Sequence, residues 1–158
     1  MQTYRIVVGF DGSEGGIRAL SWAVAEAAQR GGTVQAVVAW SRGAINEPVI
    51  GTAPVDACYR ATDLLASAVT AAGVAHPGVT VAEEAVEGPP ARVLADAARD
   101  ADLLVLGSHG HGRLFHAVLG SVAEHCIRAG VCPVVVIPVP HKVTAPAPPP
   151  TPITTATY

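Results

Sequence analysis

Residues 107–121 read Gly-Ser-His-Gly-His-Gly-Arg-Leu-Phe-His-Ala-Val-Leu-Gly-Ser, and their types point to anion binding. Glycines at Gly107, Gly110, Gly112 and Gly120 let backbone N–H groups approach a ligand with no Cβ in the way. An apolar run, Leu103–Leu106, leads into the stretch, and Ser121 followed by Glu124 has the form of a capping box at a helix start. A glycine-rich loop between a strand end and a helix N-terminus offers free N–H groups and the positive end of a helix dipole to a phosphate. In this reading Gly107, Ser108, His109, Gly110, His111 and Gly112 line the phosphates. Gly120, Ser121 and Val122 close the site, and Arg113 adds positive charge.

Each of these residues also has a plainer role open to it. Ser121 can cap its own helix, which is compatible with phosphate binding because the two use different N–H groups of one turn. Arg113 can be a solvated loop residue. His109, His111 and His116 either donate to phosphate, chelate a metal through His-x-His, or fill a polar loop; no acid or cysteine nearby completes a metal set.

The elements that must position this loop alternate. Apolar or β-branched runs at Tyr4–Gly9, Thr33–Trp40, Val79–Val86, Leu103–Leu106 and Val134–Ile137 read as strands. Helical spacing covers Ser13–Arg30, with Ile17, Leu20 and Val24 on one face and Gly31 as a stop. It covers Pro54–Ala72, with Val55, Cys58, Leu65 and Val69 on one face, and a segment from Pro89-Pro90 to about Arg99. Ser121–Ala129 is the fourth helix, and residues 41–53 read as a loop. Five strands and four helices in this order predict a doubly wound, Rossmann-like α/β fold: a parallel sheet with helices on both faces. Ligands of such sheets sit beyond the carboxyl ends of the strands, where strand order reverses.

The spacing Gly107, two residues, Gly110, nine residues, Gly120-Ser121 resembles the motif of the nucleotide-binding branch of the universal stress protein family. Val7-Val8-Gly9-Phe10-Asp11-Gly12-Ser13 resembles that family's first strand end, and Cys132-Pro133 with Val134–Ile137 its last strand. The resemblance implies strand order 3-2-1-4-5, which puts the reversal between strands one and four. It implies that Asp11, near Gly9 and Ser13, contacts a nucleoside, although Asp11 and Ser13 can each cap the first helix instead. It implies that the backbone around Ala39 reads the adenine edge. The ligand expected is ATP, with Mg²⁺ held mainly by the phosphates. A homodimer through the last strand is also implied, since Val134–Ile137 would otherwise be an apolar open edge.

Composition narrows the rest. At 158 residues the chain fits one domain, expected over residues 1–138. Seven of the 13 prolines fall from Pro138 onward, so residues 139–158 read as a disordered tail. A net charge of -3 argues against nucleic acid as a partner. Met1–Arg5 runs into a strand with no signal-like segment, and no apolar run is long enough to span a bilayer, so a cytoplasmic protein without membrane contact is expected. Cys58, Cys126 and Cys132 lack C-x-x-C spacing and read as buried or half-buried thiols.

The expected activity is regulatory ATP binding in a stress response. A phosphotransferase or ATPase is the first alternative, but no Gly-Lys-[Ser/Thr] and no acidic pair supports fast turnover. A dehydrogenase fails because Phe115 stands where a third dinucleotide-binding glycine belongs. A ligand-free dimeric interaction module has no need of all four motif glycines.

Overall fold

The computed structural model describes residues 3–41, 54–110 and 119–140. Its elements run β1 (Arg5–Phe10), α1 (Glu14–Arg30), β2 (Thr33–Trp40), α2 (Pro54–Gly73), β3 (Val81–Glu87), α3 (Pro90–Ala97), β4 (Leu103–Gly107), α4 (Ser121–Ala129) and β5 (Val134–Ile137). The strands form one parallel sheet in the order β3-β2-β1-β4-β5. The sheet order and the doubly wound α/β class are those expected from the sequence.

Alternation along each strand divides the core between two layers. Ile6, Val8, Phe10, Val34, Ala36, Val38, Leu103 and Val105 face α1 and α2, packing on Leu20, Val24 and Leu65. Val7, Val37, Leu104 and Leu106 face α3 and α4, packing on Leu94, Ala123 and Cys126. Central strands β1 and β4 are buried on both sides, which is why they read as unbroken apolar runs. Edge strand β3 is largely exposed, with Glu83 and Glu84 in its middle.

Helix α1 corrects one expectation. Ile17, placed with Leu20 and Val24 on the buried face, is 50% exposed. The stripe that packs is centred on Gly16, Ala19, Leu20, Ala23 and Ala27, which leaves Ile17 at its margin. The first turn of α1 lies so close to the strand ends that glycine takes the place expected for Ile17: a Cβ on Gly15 would lie 2.7 Å from the His109 carbonyl oxygen, and one on Gly16 2.8 Å from Asp11 Oδ1. Weak patterning at the edge shifts β3 to start at Val81 rather than Val79, and α3 ends at Ala97 rather than near Arg99.

The last described residues fold back on the core. Arg18 Nε donates to the Pro138 carbonyl at 3.2 Å, and the Val139 N–H donates to Ser108 Oγ at 3.3 Å. Residues 141–158, most of the proline-rich tail, lie outside the described residues, as does most of the expected 41–53 loop. Among the described residues no helix is long and apolar enough to cross a membrane.

Candidate functional site

β1 and β4 are neighbours, but their chain continuations leave toward opposite faces, α1 on one side and α4 on the other. A cleft of about 360 Å³ opens at their carboxyl ends. That volume lies within the range of small-molecule sites. Gly9, Asp11, Ser13, Ala39, Gly107, Ser108, His109, Gly110, Gly120, Ser121 and Val122 all line it. These segments are more than 100 positions apart in the chain at their extremes, and the topology brings them to one place. His111, Gly112, Arg113 and His116 lie outside the described residues.

The motif glycines are demanded first by packing. A Cβ on Gly107 would lie 2.6 Å from the carbonyl carbon of Gly15, so the end of β4 touches the first turn of α1 backbone to backbone. A Cβ on Gly110 would lie 2.5 Å from Asp11 Oδ2. The loop after β4 is therefore pressed against both the start of α1 and the carboxylate that follows β1.

The start of α1 is closed by its own side chains. Ser13 is the N-cap, and its Oγ accepts from the Gly16 N–H at 3.1 Å. Asp11 Oδ1 in turn accepts from the Ser13 N–H at 2.9 Å and from the Ser13 hydroxyl. Of the two capping candidates in the sequence, Ser13 takes the cap and Asp11 braces it.

The start of α4 corrects the capping-box expectation. Gly120, not Ser121, is the N-cap, and no side chain caps the helix. The cause is a loop bond: the Gly120 N–H donates to the Ser108 carbonyl at 2.7 Å, holding Gly120 extended and starting the helix one residue earlier than a Ser121 cap requires. Glu124 pairs forward with Arg128 at 2.7 Å instead of reaching back. The first intrahelical bond runs from the Glu124 N–H to the Gly120 carbonyl. The N–H groups of Ser121, Val122 and Ala123, all cleft residues, precede it and have no intrahelical acceptor.

The walls are apolar, supplied by Val37, Leu94, Leu106 and Val122, with Asp11 the acidic group among the described lining residues. No lysine or arginine is among them, so their positive potential comes from backbone N–H groups and helix ends. Beneath α4, burial pushes the thiols of Cys126 and Cys132 up. Among the described residues no group of three His, Cys, Asp or Glu side chains could hold a metal.

A family model described as "Universal stress protein family" matches residues 3–138. The chain belongs to that family. A universal stress protein of Mycobacterium tuberculosis strain H37Rv is 34% identical over 148 residues, covering 90% of this chain and 46% of its own length. The chain thus spans about half the length of the curated relatives it matches. Among solved structures, a universal stress protein in complex with cAMP is 26% identical with a TM-score of 0.63, covering 87% of this chain and 98% of that one. A universal stress protein from Archaeoglobus fulgidus in complex with dAMP is 24% identical with a TM-score of 0.60, over 86% of this chain and 98% of that one; this likeness speaks to the fold.

Several cleft residues escape the family motif. Val37, Pro90, Leu94, Leu106 and Ala123 line it without belonging to either glycine segment. Val37 was within reach of the sequence: it lies two residues before Ala39 on the same strand face. Leu94 was not, because nothing in α3 marks which part of its inward face overhangs the cleft rather than the core.

Proposed function

We propose that the cleft holds an adenine nucleotide, ATP with its Mg²⁺ carried mainly by the phosphates, and that the protein works as a nucleotide-dependent regulator in a stress response. The observation that carries this reading is the open N-terminus of α4. Gly120 fills the cap position with no side chain, so the N–H groups of Ser121, Val122 and Ala123 are left to an anion at the positive end of the helix. The apolar walls at Val37, Leu94 and Leu106 suit a purine, and Asp11 is an acceptor for ribose hydroxyls. The backbone at Ala39, on the end of β2, is within the same cleft for the base edge. The cAMP complex of a 26% identical family member supports an adenine nucleotide as the ligand class. In this reading Gly9, Gly107 and Gly110 keep the floor and rim open, and His111, Gly112 and Arg113 extend the phosphate loop. Mg²⁺ bound to the phosphates would supply charge neutralisation.

The same proposal makes the protein a cytoplasmic homodimer joined through β5. Its support is that all four residues of this apolar edge strand are only half-buried in the single chain.

Mass spectrometry of ligand released from freshly purified protein, followed by calorimetry with ATP and with cAMP, tests the nucleotide reading. An adenine nucleotide in the released fraction and saturable binding are expected. Protein that releases none and takes up neither one overturns it. Sedimentation at micromolar concentration tests the dimer, and a monomer there contradicts it.

A further inference from the structure

Ser108 stands where three segments meet, and its polar atoms join them. Its N–H donates to the Ile137 carbonyl at 2.9 Å, which continues the pairing of β4 with β5 one residue past Gly107. Its carbonyl accepts from the Gly120 N–H at 2.7 Å, the bond that leaves the first turn of α4 open. Its hydroxyl oxygen accepts from the Val139 N–H at 3.3 Å, and Nδ1 of His109 lies 3.1 Å from the same oxygen. The residue is 8% exposed, so these bonds are made largely out of water.

The segment on the far side of that hydroxyl is itself anchored. Arg18 Nε donates to the Pro138 carbonyl at 3.2 Å, and a Cβ on Gly15 would lie 3.4 Å from Val139 Cγ2, so the chain leaving β5 rests on the first turn of α1. Neither Pro138 nor Val139 lines the cleft. One side of Ser108 therefore holds a segment outside the cleft, and the other sets where α4 begins. No lysine or arginine is among the described lining residues, so an anion there depends on where the backbone N–H groups are placed. Such donors are directional, and their bonds weaken steeply as the angle departs from its optimum.

We propose that Ser108 is a positioning residue that couples the exit of β5 to the open end of α4, so that Val139, outside the cleft, helps to set the affinity of the anion site. The hydroxyl holds the loop against Val139, and the carbonyl of the same residue places Gly120 and the N–H groups that follow it. The affinity role rests on the nucleotide reading above; the tie between the two segments does not. When the Val139 bond is lost, the ligand must restore the loop itself, and that ordering is subtracted from its binding. Ser108 thus serves the ligand without needing to touch it.

Amide hydrogen exchange in the full chain without ligand tests the tie. The Gly120 N–H, bonded to the Ser108 carbonyl, should exchange slowly in the wild type. Val139→Pro removes the N–H that holds the hydroxyl, and Ser108→Ala removes its acceptor. Each should speed exchange at Gly120 by about threefold or more, while the amides of β1 exchange as in the wild type. Val139→Ala keeps the N–H and should leave Gly120 protected. Wild-type exchange at Gly120 in Val139→Pro overturns the tie. Equal acceleration at Gly120 and throughout β1 overturns it too, because the bond would then support the whole fold and not this loop.

Calorimetry with ATP tests the affinity role. Val139→Pro and Ser108→Ala should each weaken binding about two- to tenfold, the span of one hydrogen bond. The double variant should bind no more weakly than Ser108→Ala alone, since both changes break one link. Val139→Ala should stay within about twofold of the wild type. Wild-type affinity in a Val139→Pro protein whose Gly120 exchanges faster overturns the affinity role. Losses that multiply in the double variant overturn the link through the hydroxyl. Wild-type protein that takes up no ATP overturns the nucleotide reading and the affinity role together, and the exchange at Gly120 still decides the tie.

Discussion

Helices α1 and α4 both begin at the cleft, and their first turns are finished in opposite ways. In α1 a serine caps the helix, its Oγ on the Gly16 N–H, and Asp11 braces that serine with a carboxylate. In α4 the cap is a glycine and the first-turn N–H groups of Ser121, Val122 and Ala123 are left without a side-chain partner. Both helices carry the same kind of dipole. The one with a side-chain cap and a facing carboxylate is a poor place for a phosphate. The other is left for an anion to complete. On the nucleotide reading proposed above, the difference would put the phosphates toward α4 and the hydroxyl-bearing sugar toward Asp11.

The comparison breaks most directly if α4 is closed in the same way as α1. Gly120→Asp supplies both a capping side chain and a negative charge at the open turn. ATP affinity should fall about a hundredfold, ~2.7 kcal/mol; Gly120 has an extended conformation that aspartate adopts, and the added Cβ, 3.1 Å from the Ser108 carbonyl oxygen, requires the loop to give slightly. Calorimetry on the folded variant checks this, and unchanged affinity would remove α4 as the phosphate site.

Gly107→Ala attacks the contact that holds the loop leading to α4 against the start of α1. The added Cβ would fall 2.6 Å from Gly15 backbone, where no flexible side chain can give way. Overpacking of this kind costs about 1–3 kcal/mol, measurable as a lower urea midpoint. A variant as stable as the wild type would show that the two helix starts are not held by this contact.

A smaller effect separates the two serines. Ser13→Ala should lose about 1 kcal/mol of stability, the usual value of a cap. Ser121→Ala should change stability by less than about 0.5 kcal/mol, since Ser121 is not a cap in this structure. Equal losses in paired urea titrations would mean that α4 is capped in solution after all.

The smallest effect lies under α4, away from its open end. Burial pushes the Cys126 thiol up. A thiol whose folded value exceeds its unfolded one stabilises the fold fully below the unfolded pKa, about 8.5, and less as pH rises through the folded value. Stability should therefore be level up to that point and decline beyond it. Cys126→Ala should flatten the decline, and an equal alkaline slope in both proteins would count against the buried thiol as its source.

Much of the fold was legible because apolar runs and turn residues agree. Thr33–Trp40 and Val134–Ile137 have the same limits in sequence and structure: Gly32 precedes the first, Pro133 and Pro138 flank the second, and both are rich in β-branched residues. The start of β3 was less legible, because an edge strand with exposed Glu83 and Glu84 has little pattern to read. Ile17 was misjudged for a different reason. Helical period alone does not say where a helix meets side chains and where it meets backbone.

The chain's glycine spacing, its alternating elements and its two serine-led helix starts are properties of the sequence alone. They determine a doubly wound sheet and one strand–loop–helix junction with an anion-binding composition, because hydrophobic period and backbone permissiveness act locally. By sequence Ser13 and Ser121 look alike, each the natural cap of the helix that follows. Only the tertiary structure distinguishes them. The Ser108 carbonyl takes the Gly120 N–H, moves the cap of α4 back by one residue and leaves that turn open, while Asp11, at the end of β1, braces the closed one. The bond that decides between them spans a loop and has no sequence period, so it becomes visible only when β4 and α4 are in place.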